Sequence, residues 1–538
     1  MIDTKALREK VLDLAIRGKL VPQDPNDEPA SVLLERIRTE KEQMVKDGKL
    51  KAKDIKNDTV IFKGDDNLHY EKFADGSIKC IEDEIPFDVP QGWEWTRLQT
   101  ICIKEIKRGK AAKYEDKSDI LVFAQKCNTK AGFIDVSKAK FLAKLTLKKY
   151  ADEDFLSYND IIINSTGTGT LGRIGIYVKN DDIYGLKIVP DSHITTIRTM
   201  CTSINAKYVY YFLKYNQSYF ENSGVGSTNQ KELRPEVISE FLVAIPPIEE
   251  QNNIVAKVDI AIQYSFNLDN KKDQFKELVL TAKSKILDLA VRGKLVPQDP
   301  NDEPASVLLG RIRAEKEELI KQGKIKRDKK ESVIFKGEDN SYYEKIGDNI
   351  NCIDEEIPFE IPPEWGWERL GNISTIARGG SPRPISDYLT NQENGINWIK
   401  IGDAEQGGKY IYSTKEKIIP EGLSKTRYVK SGDFLLTNSM SYGRPYILKT
   451  NGCIHDGWLV IADIENVFYQ DFLYYALSSN EMYRVFTNLA AGSTVKNLKS
   501  DSVKSVLFPI PTYNEQFRIS NYVEKIYQMV EIIEKSLS

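Results

Sequence analysis

Between Ile254 and Leu289 the chain repeats a step of four residues and then three, through Ile254, Val258, Ala261, Ser265, Leu268, Lys272, Phe275, Val279, Ala282, Ile286 and Leu289. All but Ser265 and Lys272 are apolar or aromatic. This is the a/d rhythm of a coiled coil and predicts one long helix with a narrow apolar seam. The rhythm continues through Ile519, Val523, Ile526, Val530, Ile533 and Leu537, and resumes at Leu7, Val11 and Leu14. Elsewhere the period changes. DIIIN (160–164), RIGIYV (173–178) and DFLLTN (433–438) read as strands set between glycine-rich turns, whereas YVYYFLKY (208–215) and FLYYALSS (472–479) read as helices.

The pattern occurs twice. RGKLVPQDPNDEPASVLL at 17–34 returns letter for letter at 292–309. TVIFKGDDNLHYEKF (59–73) matches SVIFKGEDNSYYEKI (332–346), and CIEDEIPFDVPQGWEWTRL (80–98) matches CIDEEIPFEIPPEWGWERL (352–370). Similarity then fades and returns where GSTNQKELRPEVISEFLVAIPPIEEQNNIV (226–255) matches GSTVKNLKSDSVKSVLFPIPTYNEQFRIS (492–520). The early matches are offset by about 275 positions and the late ones by about 265, so the two offsets sum to nearly the chain length of 538. The pattern is therefore circular, with the end of the chain followed by its beginning reproducing the continuous middle. It predicts two long helices packed antiparallel, one continuous and one built from both terminal segments; the plainer alternative is separate surface helices, each on its own domain. A helix of about 40 residues is about 60 Å long, a rod able to hold two domains apart.

Two blocks between the repeats, 93–247 and 365–512, share a frame but not a surface. Each opens at a tryptophan pair, Trp93/Trp95 or Trp365/Trp367, and closes on an Ile-Pro before the helix. The expected fold is α/β (α+β), with two such domains separated by two long antiparallel coiled-coil helices in a pseudo-two-fold circular repeat. The expected segments are 1–92 (distal half of the terminal spacer helix plus a partner-binding segment), 93–247 (first recognition domain), 248–364 (long spacer helix plus the repeated segment), 365–512 (second recognition domain) and 513–538 (C-terminal spacer helix).

Composition narrows the chemistry. With 41% hydrophobic and 29% charged residues the chain reads as ordinary globular protein. It has no apolar run long enough for a membrane span, and its first residues lack a signal peptide's apolar core, so the expected compartment is the cytoplasm. The six cysteines show no CxxC spacing, and three histidines, His69, His193 and His455, are a poor basis for a metal centre or a triad. TGTGTLG (166–172) satisfies G-x-G-x-x-G, but a strand-like run follows it and the second copy reads NSMSYGRP, which argues against a dinucleotide site.

A net charge of −3 does not advertise a nucleic-acid binder, yet phosphates respond to a local basic face. Lysine and arginine concentrate in the divergent blocks, in IKEIKRGKAAK (103–113), KAKFLAKLTLKK (138–149) and ARGGSPRPIS (377–386), away from the acidic QDPNDEP segments. Gly172-Arg173 and Gly443-Arg444 place an arginine at the same turn twice. The candidate DNA-binding residues are Arg108, Lys126, Lys140, Lys144, Thr168 and Arg173 in the first block, and Arg378, Ser381, Arg383, Lys400, Arg427, Arg444 and Lys496 in the second. No catalytic, cofactor-binding or metal residue is expected.

With LDLAVRGKLVPQDPNDEPASVLL, IPFEIPPEWGWERLG, the GST…IPPIEEQ…I stretch and the circular repeat in view, the chain closely resembles the specificity subunit of type I restriction–modification systems over essentially its whole length. The resemblance implies two target recognition domains, each reading one half of a bipartite, asymmetric sequence in double-stranded DNA. It also implies helices that act as a spacer and bind two methyltransferase subunits, with restriction subunits joining them. S-adenosylmethionine, ATP and magnesium are then expected on the partner subunits, and the chain itself is expected to be non-catalytic. Competing classes lack support in the residues. The N-P-P-Y motif of a solitary methyltransferase is absent, pairs such as Glu331 with Lys336 do not rise above a lysine- and glutamate-rich background for a nuclease, and a pure DNA-binding scaffold would not need two divergent basic domains.

Overall fold

The computed structural model describes residues 3–130, 132–179, 185–226, 231–327, 331–438, 443–491 and 497–537. It divides into two compact units, Ile2–Lys272 and Asp273–Ser538 with Met1, and the boundary falls inside the helix Ile248–Val291.

In the first unit, the strands Ile174–Ile176, Ile161–Asn164, Ile194–Ile197 and Lys107–Arg108 lie in that order in one antiparallel sheet. Its two central strands, IIIN and ITTI, are buried at every position and carry no charged side chain. A second sheet orders Lys187–Pro190, Ile120–Phe123, Lys140–Leu142 and Tyr114–Glu115, with the first pair parallel. The strand Glu94–Arg97, carrying Trp95, pairs with Leu242–Ile245. The helix Ala206–Tyr215 starts at Asn205, whose side chain accepts from the amides of Lys207 and Tyr208 at 3.0 and 3.4 Å.

The second unit repeats this plan. Thr375–Arg378, Trp458–Ala462, Phe434–Thr437 and Pro445–Leu448 correspond to the first sheet, with Tyr410–Ile411 added at the edge. Gly452–Ile454 is parallel to Ile396–Ile399 as Lys187–Pro190 is to Ile120–Phe123. Gly366–Arg369 pairs with Leu507–Ile510. The expected mixed architecture in two matching copies is what the structure shows.

The repeated segment fastens each helix to its domain. Gln23 donates to the carbonyl of Gly18 at 2.6 Å and to Glu250 at 3.0 Å, and the indole of Trp93 donates to the other oxygen of Glu250 at 2.8 Å. In the second unit Gln298, Glu515 and Trp365 do the same at 2.6 and 2.8 Å. Burial raises the carboxyl pKa of both Glu250 and Glu515. Gly18 and Gly293 hold positive φ, and a Cβ there would lie 2.3 and 2.4 Å from Pro90 and Pro362. The repeat is thus a clasp that each copy of the frame needs in the same form.

The helix Thr4–Ile16 runs antiparallel to the 248–272 part of the long helix. Thr4 donates to Asp269 at 2.6 Å, and Arg8 reaches Ser265 at 2.6 Å and Asp269 at 3.1 Å. In the second unit Lys283 meets Glu534 at 3.3 Å, and the hydroxyl of Tyr527 donates to the carbonyl of Lys283 at 3.3 Å. Ile254, Val258, Ile519 and Val523 are fully buried as the apolar rhythm requires. Leu7 and Ile533 depart from it and face solvent, because near these ends the seam is held by polar and ionic pairs.

Candidate nucleic-acid interface

In the second unit a group of the expected residues gathers around one acid, Asp456, in the loop entering the strand Trp458–Ala462. The guanidinium of Arg378 donates to the Asp456 carbonyl at 2.9 Å, Ser381 donates to its carboxylate at 3.0 Å, and Arg383 stands 3.9 Å from it. Arg427 joins the group by donating to the carbonyl of Arg378 at 3.3 Å. Two neighbours complete it: Nε2 of His455, 3.0 Å from the Asp456 carboxylate, and Asn438, whose amide donates to the Asp456 carbonyl at 2.8 Å. The site exists because the end of Thr375–Arg378 lies against this loop so closely that a Cβ on Gly379 would sit 2.3 Å from the His455 carbonyl. The side chain of Arg383 remains 84% exposed, and Arg427 and Arg444 are also exposed. Lys400 stands apart, in an ion pair with Glu416.

The corresponding edge of the first unit is built differently. His193 lies 2.7 Å from the hydroxyl of Thr166, and the amide of Gln125 donates to the carbonyl of Thr166 at 2.8 Å. Lys126 follows Gln125 and is exposed, as is Thr168 on the neighbouring turn. Arg173 serves this turn internally, donating to the carbonyls of Asn128 at 2.7 Å and Gly169 at 3.1 Å. Arg108 donates to the carbonyl of Leu233 at 2.6 Å and pairs with Glu232. Lys140 lies over the ring of Tyr114, 4.8 Å from its centroid, and Lys144 is exposed on a separate 3-10 segment. Lys496 lies outside the described residues.

The glycine turn joins two antiparallel strands, Ile161–Asn164 and Ile174–Ile176. The run after the turn is a strand, as its sequence predicts, and no helix follows the glycines directly. Among the described residues no group of three or more His, Cys, Asp or Glu is arranged to hold a metal ion, and no helix is long and apolar enough to cross a membrane.

Sequence reasoning did not find Asp456, His455, Asn438, Gln125 or His193. Asn438, His455 and Asp456 lie close to Gly443, Gly452 and Gly457, whereas Gln125 and His193 carry no such signal, and the loops that hold them meet through strand pairings between distant segments.

Comparison with known proteins finds the same two-fold division of the chain. The model of the type I restriction modification DNA specificity domain matches residues 90–275 and again 362–538. The Escherichia coli EcoAI specificity subunit is 31% identical over 425 residues, 70% of this chain and 63% of the relative. The match to the Escherichia coli EcoEI specificity subunit is 29% identical over 488 residues, 81% of this chain and 73% of the relative. A chain from a study of complex assembly and conformational transition in the type I R-M system superposes with a TM-score of 0.51 at 17% identity, over 84% of this chain and 94% of that one, and so shares its fold. One domain model matched twice, across more than half of the 538 residues, decides the family: the chain belongs to the type I restriction modification DNA specificity domain family.

Proposed function

We propose that this chain is the sequence-specificity subunit of a type I restriction–modification complex, in which each recognition domain reads one half of a bipartite, asymmetric site in double-stranded DNA. The observation that carries the reading is the double match of one specificity domain to two frames with identical clasps and different loop edges. Shared frames with unlike edges are what two readers of unlike sequences need. Blocks 93–247 and 365–512 are the readers, and segments 1–92, 248–364 and 513–538 form the frame and the spacer helices that set the gap between half-sites.

On this reading the exposed cations Lys126, Lys144, Arg383, Arg427 and Arg444 neutralise phosphates, a term that positions the protein without specifying sequence. Sequence is read by side chains at the groove edge. The arginines and Asp456 offer complementary chemistry there, since guanidinium groups recognise guanine and a carboxylate accepts from the cytosine amino group. Arg108, Arg173 and Lys400 act indirectly, by holding the loops that carry the contacts.

The partners are two methyltransferase subunits and the restriction subunits, which hold S-adenosylmethionine, ATP and magnesium; the chain itself carries no catalysis, and the complex works in the cytoplasm. Methylome sequencing of cells that express this chain with its partners tests the reading. One modified sequence split by an unspecified gap is expected. Methyl transfer or cleavage by the purified chain alone would overturn it.

A further inference from the structure

In both units one short strand of the sheet that contains the parallel pair runs into a 3-10 turn of six residues. In the first unit Lys140–Leu142 leads into Lys144–Lys149, and in the second Glu416–Ile418 leads into Pro420–Lys425. The two turns are hydrogen-bonded alike. The amide of Ala143 donates to the Lys113 carbonyl, that of Thr146 to Ala143 and that of Tyr150 to Leu147, at 2.8–2.9 Å. In the same way Ile419 donates to Tyr388, Gly422 to Ile419 and Thr426 to Leu423, at 2.9–3.4 Å. Position by position, Leu145 therefore corresponds to Glu421 and Lys149 to Lys425.

Each turn borders the edge proposed to face DNA. In the second unit the hydroxyl of Thr426, next after the turn, donates to the Ile454 carbonyl at 2.9 Å, and Arg427 belongs to the Asp456 cluster. In the first unit Lys110, bridged to Asp191 two residues before His193, donates to the Lys149 carbonyl at 2.6 Å. The side chains presented there differ. The run 138–149 holds five lysines and no acid, and Lys144, Lys148 and Lys149 stand exposed around Leu145. Leu145 itself is 95% exposed, whereas no other large apolar side chain among the described residues exceeds 69%. Folding does not require it, because Thr146 is the buried residue of the turn and its hydroxyl donates to the Ala143 carbonyl at 2.7 Å. A single exposed leucine needs no explanation on most surfaces. This one is held on a hydrogen-bonded turn among lysines, and loses its water when those lysines meet phosphates.

We infer that Leu145 is an apolar wedge that enters the minor groove of the half-site read by the first unit and parts one base step, with its flanking lysines on the phosphates of the groove walls. The inference rests on the proposed function, which supplies double-stranded DNA as the occupant. The minor groove is about 6 Å wide and the major about 12 Å; a single turn with cations on both sides of one leucine fits the narrower. Leucine is among the side chains that part base steps there, and the unstacking is offset by a bent duplex that meets more protein. The first half-site is then selected in part by how easily one step unstacks. Glu421 at the matching place in the second unit repels phosphate, so no wedge acts on the other half-site.

The test uses the full chain assembled with its methyltransferase subunits, on duplexes carrying the sequence that methylome sequencing identifies, with 2-aminopurine placed at one position at a time. On binding, fluorescence should rise beside one step of the half-site read by block 93–247. Leu145→Ala should abolish that rise and weaken binding about tenfold. Leu145→Met, which keeps an apolar wedge, should keep both. A nucleotide flipped by the methyltransferase should brighten equally in every variant, which verifies that the complex is folded and on its site. Equal fluorescence and equal affinity for wild type and Leu145→Ala overturn the inference alone. So does an affinity loss that uracil in place of thymine reproduces, since Leu145 would then touch a thymine methyl in the major groove. A wild-type complex that binds this sequence no better than unrelated duplex overturns the proposed function, and the inference with it.

Discussion

Arg97 grips Glu71 with two nitrogens, Nε at 3.1 Å from one carboxylate oxygen and Nη2 at 2.7 Å from the other. Its remaining donors reach Glu84 and the carbonyl of Glu240, tying the small antiparallel sheet of Val60–Lys63, His69–Lys72 and Ile78–Cys80 to the strand that opens the recognition domain. Arg369 makes the same fork on Glu344 at 3.0 and 2.7 Å.

Glu71 is almost wholly buried, so removal of its partner strands a charge. Arg97→Ala should lower the unfolding free energy by about 3–5 kcal/mol, the usual result of breaking a buried ion pair from one side. Arg369→Ala should do the same through the other unit. Denaturant titration of each variant checks this, and a loss below about 1 kcal/mol would show that the forks do not hold the sheets.

Asp58 sets a pH dependence. Its carboxyl lies beside the Lys41 ammonium, but burial outweighs that attraction and pushes the pKa from 3.8 up to about 6. Between those values the folded state holds a proton that the unfolded state releases, so stability falls as pH rises through the window. Asp58→Asn should abolish this slope between about pH 4 and 6 and leave the remaining pH profile unchanged. Tm measured against pH for the two proteins decides it; parallel curves would refute the assignment.

On the proposed reading, variants of the Asp456 cluster distinguish base contacts from phosphate contacts. Arg378→Ala should cost about 1–3 kcal/mol at the cognate half-site and relax specificity there. Arg383→Ala, losing a mostly exposed cation, should weaken binding to all sequences and make the slope of log K against log salt shallower by about one unit. DNA binding by the assembled complex at several salt concentrations distinguishes the two outcomes, and uniform losses for both variants would make the cluster a phosphate clamp.

Exchange of 93–247 for the same block of another family member should alter one half of the recognised sequence and leave the other intact. Methylome sequencing reads the result directly. If both halves changed together, the two domains would not be independent readers.

The helices, the frame repeat and its circular order were legible because each leaves a periodic or literal trace, as in the seam residues Ile254 and Val258 or the clasp residues Gln23 and Gln298. The two-sheet core was not, since the parallel partner of Ile120–Phe123 lies at Lys187–Pro190 and no local pattern announces so distant a pairing. The candidate site was legible in composition and only partly in detail. Arg378, Ser381, Arg383 and Arg427 converge, but the acid that gathers them sits far along the chain at Asp456. Arg108, Arg173 and Lys400 have the residue type of contacts and the bonding of braces. A sequence gives a cation's presence, whereas its partners depend on which loops meet.

Arg8 also governs how the paired helices of the first unit align. Its partners Ser265 and Asp269 occupy one place along an otherwise apolar and lysine-containing row. A slip of one heptad in one direction would set the guanidinium over Val258 and Ile262, leaving it without an acceptor. The opposite slip would bring it against Lys272. Apolar seams tolerate sliding, and a single polar layer forbids it at some cost in stability. The layer at Thr4, Arg8, Ser265 and Asp269 therefore serves as a key, admitting one alignment of the two helices and rejecting its neighbours.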